Sequence, residues 1–139
     1  MPGTILLDTN VLSEMMRVAP EPRVFAFIEA SADVLVASVT FHELQFGAER
    51  LAAGAKKAAI VDRIDLLRDR FKRRIVDIDL EIAELSGKLR AGAVARGFNV
   101  APMDTLIAAS AIVRGANVAT RNIKDFEPLG VGIVNPWRI

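Results

Sequence analysis

Short apolar runs alternate along this chain with longer stretches whose apolar residues recur every three or four positions. The short runs predict four β-strands and a fifth at the edge of a sheet, at residues 4–7, 34–38, 75–78, 117–120 and 131–134. The periodic stretches predict helices at residues 11–17, 22–32, 38–51, 60–71, 80–96 and 102–114. Gly54, Gly97 and Gly115 are predicted to end helices.

Apolar strands that alternate with helices favour parallel βαβ crossovers, with helices on both faces of the sheet. The chain has no internal repeat, low-complexity segment or linker. We therefore predict a single α/β domain over residues 1–139. Its three α/β/α layers would surround a mostly parallel, doubly wound sheet of 4-5 strands.

Composition limits the chemistry that this chain can perform. It has no cysteine and one histidine, His42, which excludes thiolate sites and sites that need several imidazoles. A metal site would use oxygen ligands, which favour Mg²⁺ or Mn²⁺. The net charge of +1 does not indicate a nucleic-acid partner, but 18 Lys and Arg residues suffice for a local basic face. We expect a soluble, cytoplasmic protein without membrane contact, because no apolar run has the length of a span.

Polar residues fall where predicted strands end or helices begin. Asp8 follows the first strand, Glu43 lies in the first turn of the helix after the second, and Asp104 follows Pro102 at the start of another helix. Asn122 and Asp125 follow the fourth strand. The carboxyl ends of parallel strands meet at one edge of a sheet, so we expect these groups to lie together. Clustered carboxylates repel unless a cation neutralises them, so the sequence predicts a Mg²⁺ or Mn²⁺ site.

Each acid also has a purely structural interpretation. Asp8 fits the N-cap of the next helix, and Thr40 with Glu43 fits a capping box. Asp104 fits a first-turn acid that the helix dipole favours, and Asp125 fits a solvated or capping residue. The joint placement of the acids on one edge favours a functional site.

Four motifs occur in order along nearly the whole chain. They are Leu6-Leu7-Asp8-Thr9-Asn10-Val11, Ser38-Val39-Thr40-Phe41-His42-Glu43-Leu44-Gln45-Phe46-Gly47, Asp104-Thr105-Leu106-Ile107-Ala108-Ala109 and Ala119-Thr120-Arg121-Asn122-Ile123-Lys124-Asp125-Phe126. The ending Asn135-Pro136-Trp137 follows them. In this combination the chain resembles the PIN-domain nucleases, and within them the VapC toxins of the FitB-like branch.

This resemblance implies a Mg²⁺-dependent endoribonuclease, with Mn²⁺ as a substitute, that acts as the toxin of a VapBC-type toxin–antitoxin pair. Asp8, Glu43 and Asp104 match the three acidic residues that carry catalysis and bind metal in the family. Asn122 falls at the fourth acidic position, where the amide leaves the number of metal ions open. Asn10 and Thr120 match polar residues that support the site in the family, and Asp125 is a further candidate that would compensate for the amide at Asn122.

Partners are predicted on the same basis. RNA would be bound by basic residues that we place near the acidic edge, namely Arg17, Arg96, Arg121 and Lys124. The resemblance further implies a VapB/FitA-like antitoxin, a homodimer, and contact with promoter DNA only through the antitoxin complex.

Two other interpretations compete with the nuclease. A haloacid-dehalogenase-like phosphotransferase would also keep its nucleophile at Asp8, but it needs a second acid where this chain has Asn10. A catalytically weak PIN-like module would bind an antitoxin and contribute to transcriptional autorepression, and Asn122 is the feature that favours it.

Overall fold

A parallel sheet organises residues 3–139, the part of the chain that the computed structural model describes. Its strands are β1 (Ile5–Leu7), β2 (Val34–Ala37), β3 (Ile75–Val76), β4 (Asn117–Ala119) and β5 (Ile133–Val134). Their order is β3-β2-β1-β4-β5, and all neighbouring pairs are parallel. The predicted α/β sheet is confirmed. The predicted domain also includes residues 1 and 2, which lie outside the described part, and its being a single domain stays a prediction.

The connections between strands are helical. The α-helices of residues 3–139 are α1 (Thr9–Met15), α2 (Pro22–Ala30), α3 (Ser38–Glu49), α4 (Ala55–Phe71), α5 (Leu80–Ala95), α6 (Pro102–Val113) and α7 (Ile123–Phe126). Helix α7 and the 3₁₀ turns Glu127–Leu129 and Pro136–Arg138 were not predicted, because elements this short show no hydrophobic period. None of the described helices is both long enough and apolar enough to cross a membrane.

Successive side chains of a strand point to opposite faces of the sheet. Both faces are buried, because helices pack against each of them. On one face Leu6 and Val118 join a core cluster with residues of α5 and α6, including Ile82 and Ile107. On the other face the core cluster contains residues from β1, β2 and β4 together with α1 to α4: Ile5, Leu7, Val36, Ala119, Val11, Leu12, Val24, Ile28, Leu44 and Ile64. The helices therefore form the two outer layers that the alternating pattern predicts.

Strand register brings the ends of three strands together. Leu7, the last residue of β1, pairs with Val36 of β2 on one side and with Ala119 of β4 on the other. The residue after β1, Asp8, donates its backbone N–H to the carbonyl of Ala119 at 2.9 Å. Side chains that follow β1 and β4 are consequently neighbours, although more than a hundred residues separate them in the chain.

Candidate functional site

A cavity of about 490 Å³ opens at the carboxyl edge of the sheet. Its lining consists of Asp8, Thr9, Asn10, Ser13, Glu14, Arg17, Glu43, Asp104, Arg121, Asn122 and Trp137. We call this cavity the acidic pocket. It brings together most of the side chains that the sequence places at this edge.

Asp8 lies at the base of the acidic pocket and is only 4% exposed. One carboxylate oxygen, Oδ1, accepts the backbone N–H of Thr9 at 2.8 Å, so Asp8 does cap α1. The other oxygen, Oδ2, accepts the hydroxyl of Thr120 at 2.8 Å and the side-chain amide of Asn10 at 2.9 Å. Burial raises the pKa of Asp8, the Glu43 charge adds to this, and these hydrogen bonds oppose it. The cap and the pocket position are therefore compatible.

Asn10 and Thr120 hold Asp8 in a network that joins the loop after β4 to α1. The Asn10 amide also donates to the Thr120 hydroxyl at 3.3 Å, and the Asn10 carbonyl oxygen accepts the backbone N–H of Arg121 at 3.2 Å. The Thr120 hydroxyl oxygen accepts the backbone N–H of Asn122 at 3.0 Å. A phosphotransferase would need a second acid at position 10. Here Asn10 occupies that position and donates a hydrogen bond that holds Asp8 in place.

Asp104 lies in the first turn of α6 and is half-buried in the wall of the pocket. The pKa of its carboxyl is raised to about 7, mostly by burial and then by the charges of Asp8, Asp125 and Glu43, in that order. The carboxylates are therefore close enough to repel one another electrostatically. Asp104 is thus the group that a cation in the pocket would stabilise most.

The predicted capping box of Thr40 and Glu43 is wrong. Helix α3 begins at Ser38 with Ala37 as its cap residue, so Glu43 lies in the second turn and not in the first. The Thr40 hydroxyl is buried without a hydrogen-bond partner in residues 3–139. The Glu43 carboxylate instead faces the pocket, where its Oε1 accepts the Thr9 hydroxyl at 2.5 Å.

The pocket offers only oxygen donors, which suits a hard divalent cation in kind. In residues 3–139, however, no three acidic or histidine side chains are already arranged to hold a metal ion. Asp8, Glu43 and Asp104 line the same cavity without forming a ready-made set of ligands. Their mutual repulsion, seen in the raised pKa of Asp104, is what an added cation would remove.

The predicted basic residues fall in two groups. Arg17 and Arg121 line the acidic pocket, and Lys124 lines neighbouring cavities, one of which it shares with Asp104 and Asp125. Arg96 points elsewhere: its guanidinium donates to the carbonyl of Pro128 and lies over the ring of Phe98. The structure does not bring Arg96 to the pocket.

Asn122 and Asp125 take different places around Asp104. Asn122 is exposed at the rim of the acidic pocket, where its backbone is held by Thr120. Asp125 is exposed in the first turn of α7 and acts on Asp104 through its charge. Asp125 therefore contributes negative charge near the site without lining the acidic pocket itself.

Glu14 is a pocket residue that the sequence analysis missed. It is 5% exposed, and its Oε2 accepts the backbone N–H of Glu21 at 2.8 Å and pairs with Arg17 at 3.1 Å. The spacing of three residues between Glu14 and Arg17 was an available signal for this ion pair. Trp137 was also missed as a pocket residue, and no local pattern places the chain's end beside β1.

We expect Glu14→Ala to lower the free energy of unfolding by about 1–3 kcal/mol, because it leaves the partly buried N–H of Glu21 without its acceptor. Glu14→Gln should cost less, since its amide oxygen can still accept that N–H. Urea denaturation measures both. Arg17→Ala serves as the control and should cost under about 1 kcal/mol, because Arg17 is largely exposed. A larger loss for Arg17→Ala than for Glu14→Ala would assign the stabilisation to the ion pair.

Comparison with known proteins gives concordant matches. The family model of the PIN domain matches residues 5–129. The chain is 35% identical to Toxin FitB of Neisseria gonorrhoeae over 136 residues, which are 96% of this chain and 98% of that protein. It is 33% identical to VapC ribonuclease Y4jK of Sinorhizobium fredii over 136 residues, which are 96% and 97% of the two proteins.

Solved structures match over a similar length. The structure of FitAcB from Neisseria gonorrhoeae superposes with a TM-score of 0.89 at 34% identity and covers 98% of this chain and 100% of that one. VapBC2 from Rickettsia felis, bound to a DNA fragment from its promoter, superposes with a TM-score of 0.82 at 25% identity and covers 96% and 98%.

Proposed function

Because the chain belongs to the PIN-domain family, we propose that it is a divalent-metal-dependent endoribonuclease that acts as the toxin of a toxin–antitoxin pair. Relatives named as a toxin and as a ribonuclease match it over nearly their whole length. The observation that carries the proposal is the acidic pocket, where burial and three like charges raise the pKa of Asp104 to about 7. In this pocket the charged form of a carboxylate is unfavourable, so a cation that neutralises it would bind there and would attract phosphates.

Each pocket residue has a distinct role in this proposal. Asp8 and Asp104 would hold the cation, and Glu43 would contribute directly or through a water. A bound Mg²⁺ or Mn²⁺ supplies Lewis-acid polarisation of the phosphoryl oxygen and lowers the pKa of the attacking water. Asn10 and Thr120 fix the Asp8 carboxylate by the hydrogen bonds to Oδ2.

The rim of the pocket would bind the RNA. Arg17 and Arg121 carry positive charge beside the acids and would contact phosphates of the RNA. Lys124 extends this charge past Asp104. Asn122 replaces an acid at the rim, which leaves Asp125 as the additional negative group near Asp104.

Cleavage of a mixed RNA pool by the purified protein, freed from any bound antitoxin, tests the activity. We expect cutting in Mg²⁺ and in Mn²⁺, none in EDTA, and products with a 5′-phosphate and a 3′-hydroxyl. Cutting that persists in EDTA would contradict the metal-dependent reaction. Sequencing of the cleaved ends would then identify the RNA substrate.

The antitoxin would cover an apolar groove next to the acidic pocket. Phe25 and Leu66 are 47% and 69% exposed and line a cavity of about 220 Å³ with Met15, Met16 and Leu67. The same cavity is bordered by three arginines, Arg17, Arg63 and Arg70. An amphipathic segment with acidic residues fits this combination of charges and apolar surface. Since Arg17 lines both cavities, such a segment would lie beside the acidic pocket.

We expect Leu66→Glu to weaken the antitoxin complex at least about tenfold, because it removes an exposed apolar side chain from the groove and places there a negative charge that repels the acidic segment. Titration calorimetry with the antitoxin measures this effect. Leu80→Glu is the matched control, since Leu80 is 74% exposed on α5 and does not line the groove. Equal affinities for the two variants would place the antitoxin on another surface.

The assembly completes the proposal. We propose a homodimer, and we propose that it contacts promoter DNA only through its antitoxin. The structure of a VapBC relative on a fragment of its promoter supports an association of such complexes with promoter DNA. Light scattering of the free protein tests the dimer. Promoter DNA that the free protein binds without antitoxin would contradict the proposed route to DNA.

A second candidate is a catalytically weak PIN module that binds an antitoxin and contributes to autorepression. The lack of a ready-made group of three metal ligands in residues 3–139, together with Asn122 at the rim, favours it. The two candidates differ in one result. A protein that binds its antitoxin fully but neither binds metal nor cuts RNA is the module.

A further inference from the structure

Arg121 and Trp137 form a stacked pair at the rim of the acidic pocket. The guanidinium carbon of Arg121 lies over the indole, 4.7 Å from the ring centroid, and both side chains line the pocket. Arg121 is exposed and Trp137 is partly buried. The guanidinium therefore lies against the indole, while the Arg121 side chain remains exposed at the pocket.

Trp137 is held in place from several sides. Its backbone N–H donates to the Asn135 side-chain oxygen at 3.0 Å, and its carbonyl accepts the guanidinium of Arg23 at 3.2 Å. Its side chain packs against the core cluster that contains α2 and Leu7. The indole is thus a fixed support, and a cation over an indole is the most favourable of the cation–aromatic pairs.

The pair is tied to the acids through Asn10. One end of the Asn10 amide donates to Asp8 at 2.9 Å, and the other accepts the backbone N–H of Arg121 at 3.2 Å. A nucleotide whose phosphate lies at Asp8 and Asp104 would consequently place a neighbouring base near Arg121. Unpaired bases stack on aromatic rings and on arginine planes, whereas paired bases inside a helix are not free to do so.

We propose that Arg121 and Trp137 form a nucleobase-stacking platform, on whose exposed guanidinium face an unpaired base next to the scissile phosphate stacks. This inference rests on the proposed function for the position of that phosphate. Arg121 then reads the base and does more than neutralise a phosphate. The platform selects single-stranded RNA segments, since only there can a base turn onto it.

The chain offers a direct probe, because Trp137 is its single tryptophan. In Mg²⁺, the intact protein is titrated with single-stranded octaadenylate and with an abasic octamer of equal charge, both built with phosphorothioate linkages that resist cutting. We expect octaadenylate to change the tryptophan fluorescence and to bind about tenfold more tightly than the abasic octamer. Equal binding of both octamers would overturn the platform.

Three substitutions separate stacking from charge. Arg121→Lys keeps the positive charge but has no plane, so it should lose the preference for octaadenylate while the dependence of binding on salt stays the same. Trp137→Phe keeps an aromatic support and should retain most of the preference, whereas Trp137→Leu should lose it. A preference that survives in Arg121→Lys would show that Arg121 acts by charge alone. Arg121 is exposed, so the lysine variant is not expected to disturb folding.

The outcomes distinguish this inference from the proposed function. Metal-dependent cutting without a preference for octaadenylate would overturn the platform and leave the nuclease. A base preference that depends on Arg121, in a protein that cuts no RNA with any metal, would support the platform and remove the nuclease.

Discussion

Asp8→Asn should reduce the rate of metal-dependent RNA cleavage by about 10²–10⁴-fold, the range expected when a ligand of a catalytic ion is lost. The substitution removes the charge at the base of the pocket, and its NH₂ group takes the place of Oδ2, where it can no longer accept hydrogen bonds from Thr120 and Asn10. The Asn oxygen can still accept the Thr9 N–H that Oδ1 of Asp8 now accepts at 2.8 Å. Burial raises the pKa of Asp8, so the variant is relieved of an unfavourable buried charge, but the loss of the two hydrogen bonds at Oδ2 opposes this gain. We therefore expect the stability at neutral pH to change by no more than about 1–2 kcal/mol.

Initial cleavage rates and thermal unfolding of the same preparations measure both effects. Asp62→Asn is the matched control, because Asp62 is an exposed acid on α4 outside the pocket. It should cut RNA at the rate of the unsubstituted protein. An Asp8→Asn protein that retains more than about a tenth of the activity would show that the chemistry does not depend on this carboxylate.

Asp104→Asn should reduce the cleavage rate about as much as Asp8→Asn does. At the same time it should stabilise the metal-free protein above neutral pH. The pKa of Asp104 is about 7 in the folded protein against an ordinary value of 3.8. Between these values the folded protein keeps a proton that the unfolded chain has lost, so its stability falls as the pH rises. This stability is complete below the lower value and is lost once the pH exceeds the higher one.

The variant has no carboxyl to titrate at this position, so it does not lose stability as the pH rises. Asp104→Asn and the unsubstituted protein should differ little at pH 4, and the variant should be more stable by about 1–2 kcal/mol at pH 8, allowing for solvent screening of a half-buried group. Urea denaturation in EDTA across this range measures the difference. Mg²⁺ should narrow it at pH 8, because the ion stabilises only a folded protein that can bind it. A difference that is independent of pH would contradict the role of the Asp104 charge.

Sequence patterns predicted the elements of this fold well where a single local rule decides them. Strand β1 is an apolar run that ends in Asp8, and α6 begins at Pro102, as predicted. The capping box at Thr40 and Glu43 was wrong because α3 starts at Ser38, directly after β2. A capping motif is recognised by residue types three apart, and those types also occur inside a helix when tertiary contacts use them.

The members of the candidate site were harder to predict than its location. The carboxyl edge of the sheet follows from the alternation of strands and helices, and it correctly pointed to the pocket that Asp8, Glu43 and Asp104 line. Arg96 was predicted at this edge, but it bonds the carbonyl of Pro128 instead. A long, flexible side chain has many accessible positions, and its nearest acceptor is decided by packing that no local pattern reports.

The sequence by itself determined the α/β fold, the order of its elements and the placement of acids at the strand ends, because hydrophobic period and helix-end preferences act over a few neighbouring residues. Only the tertiary structure decided which of these groups meet. It joined Asn10 to Thr120 across 110 residues, buried Glu14 beside the pocket and laid Arg121 over Trp137. The physical reason is that β1 lies between β2 and β4, so contacts at its end are made by crossovers whose partners are far away in the chain.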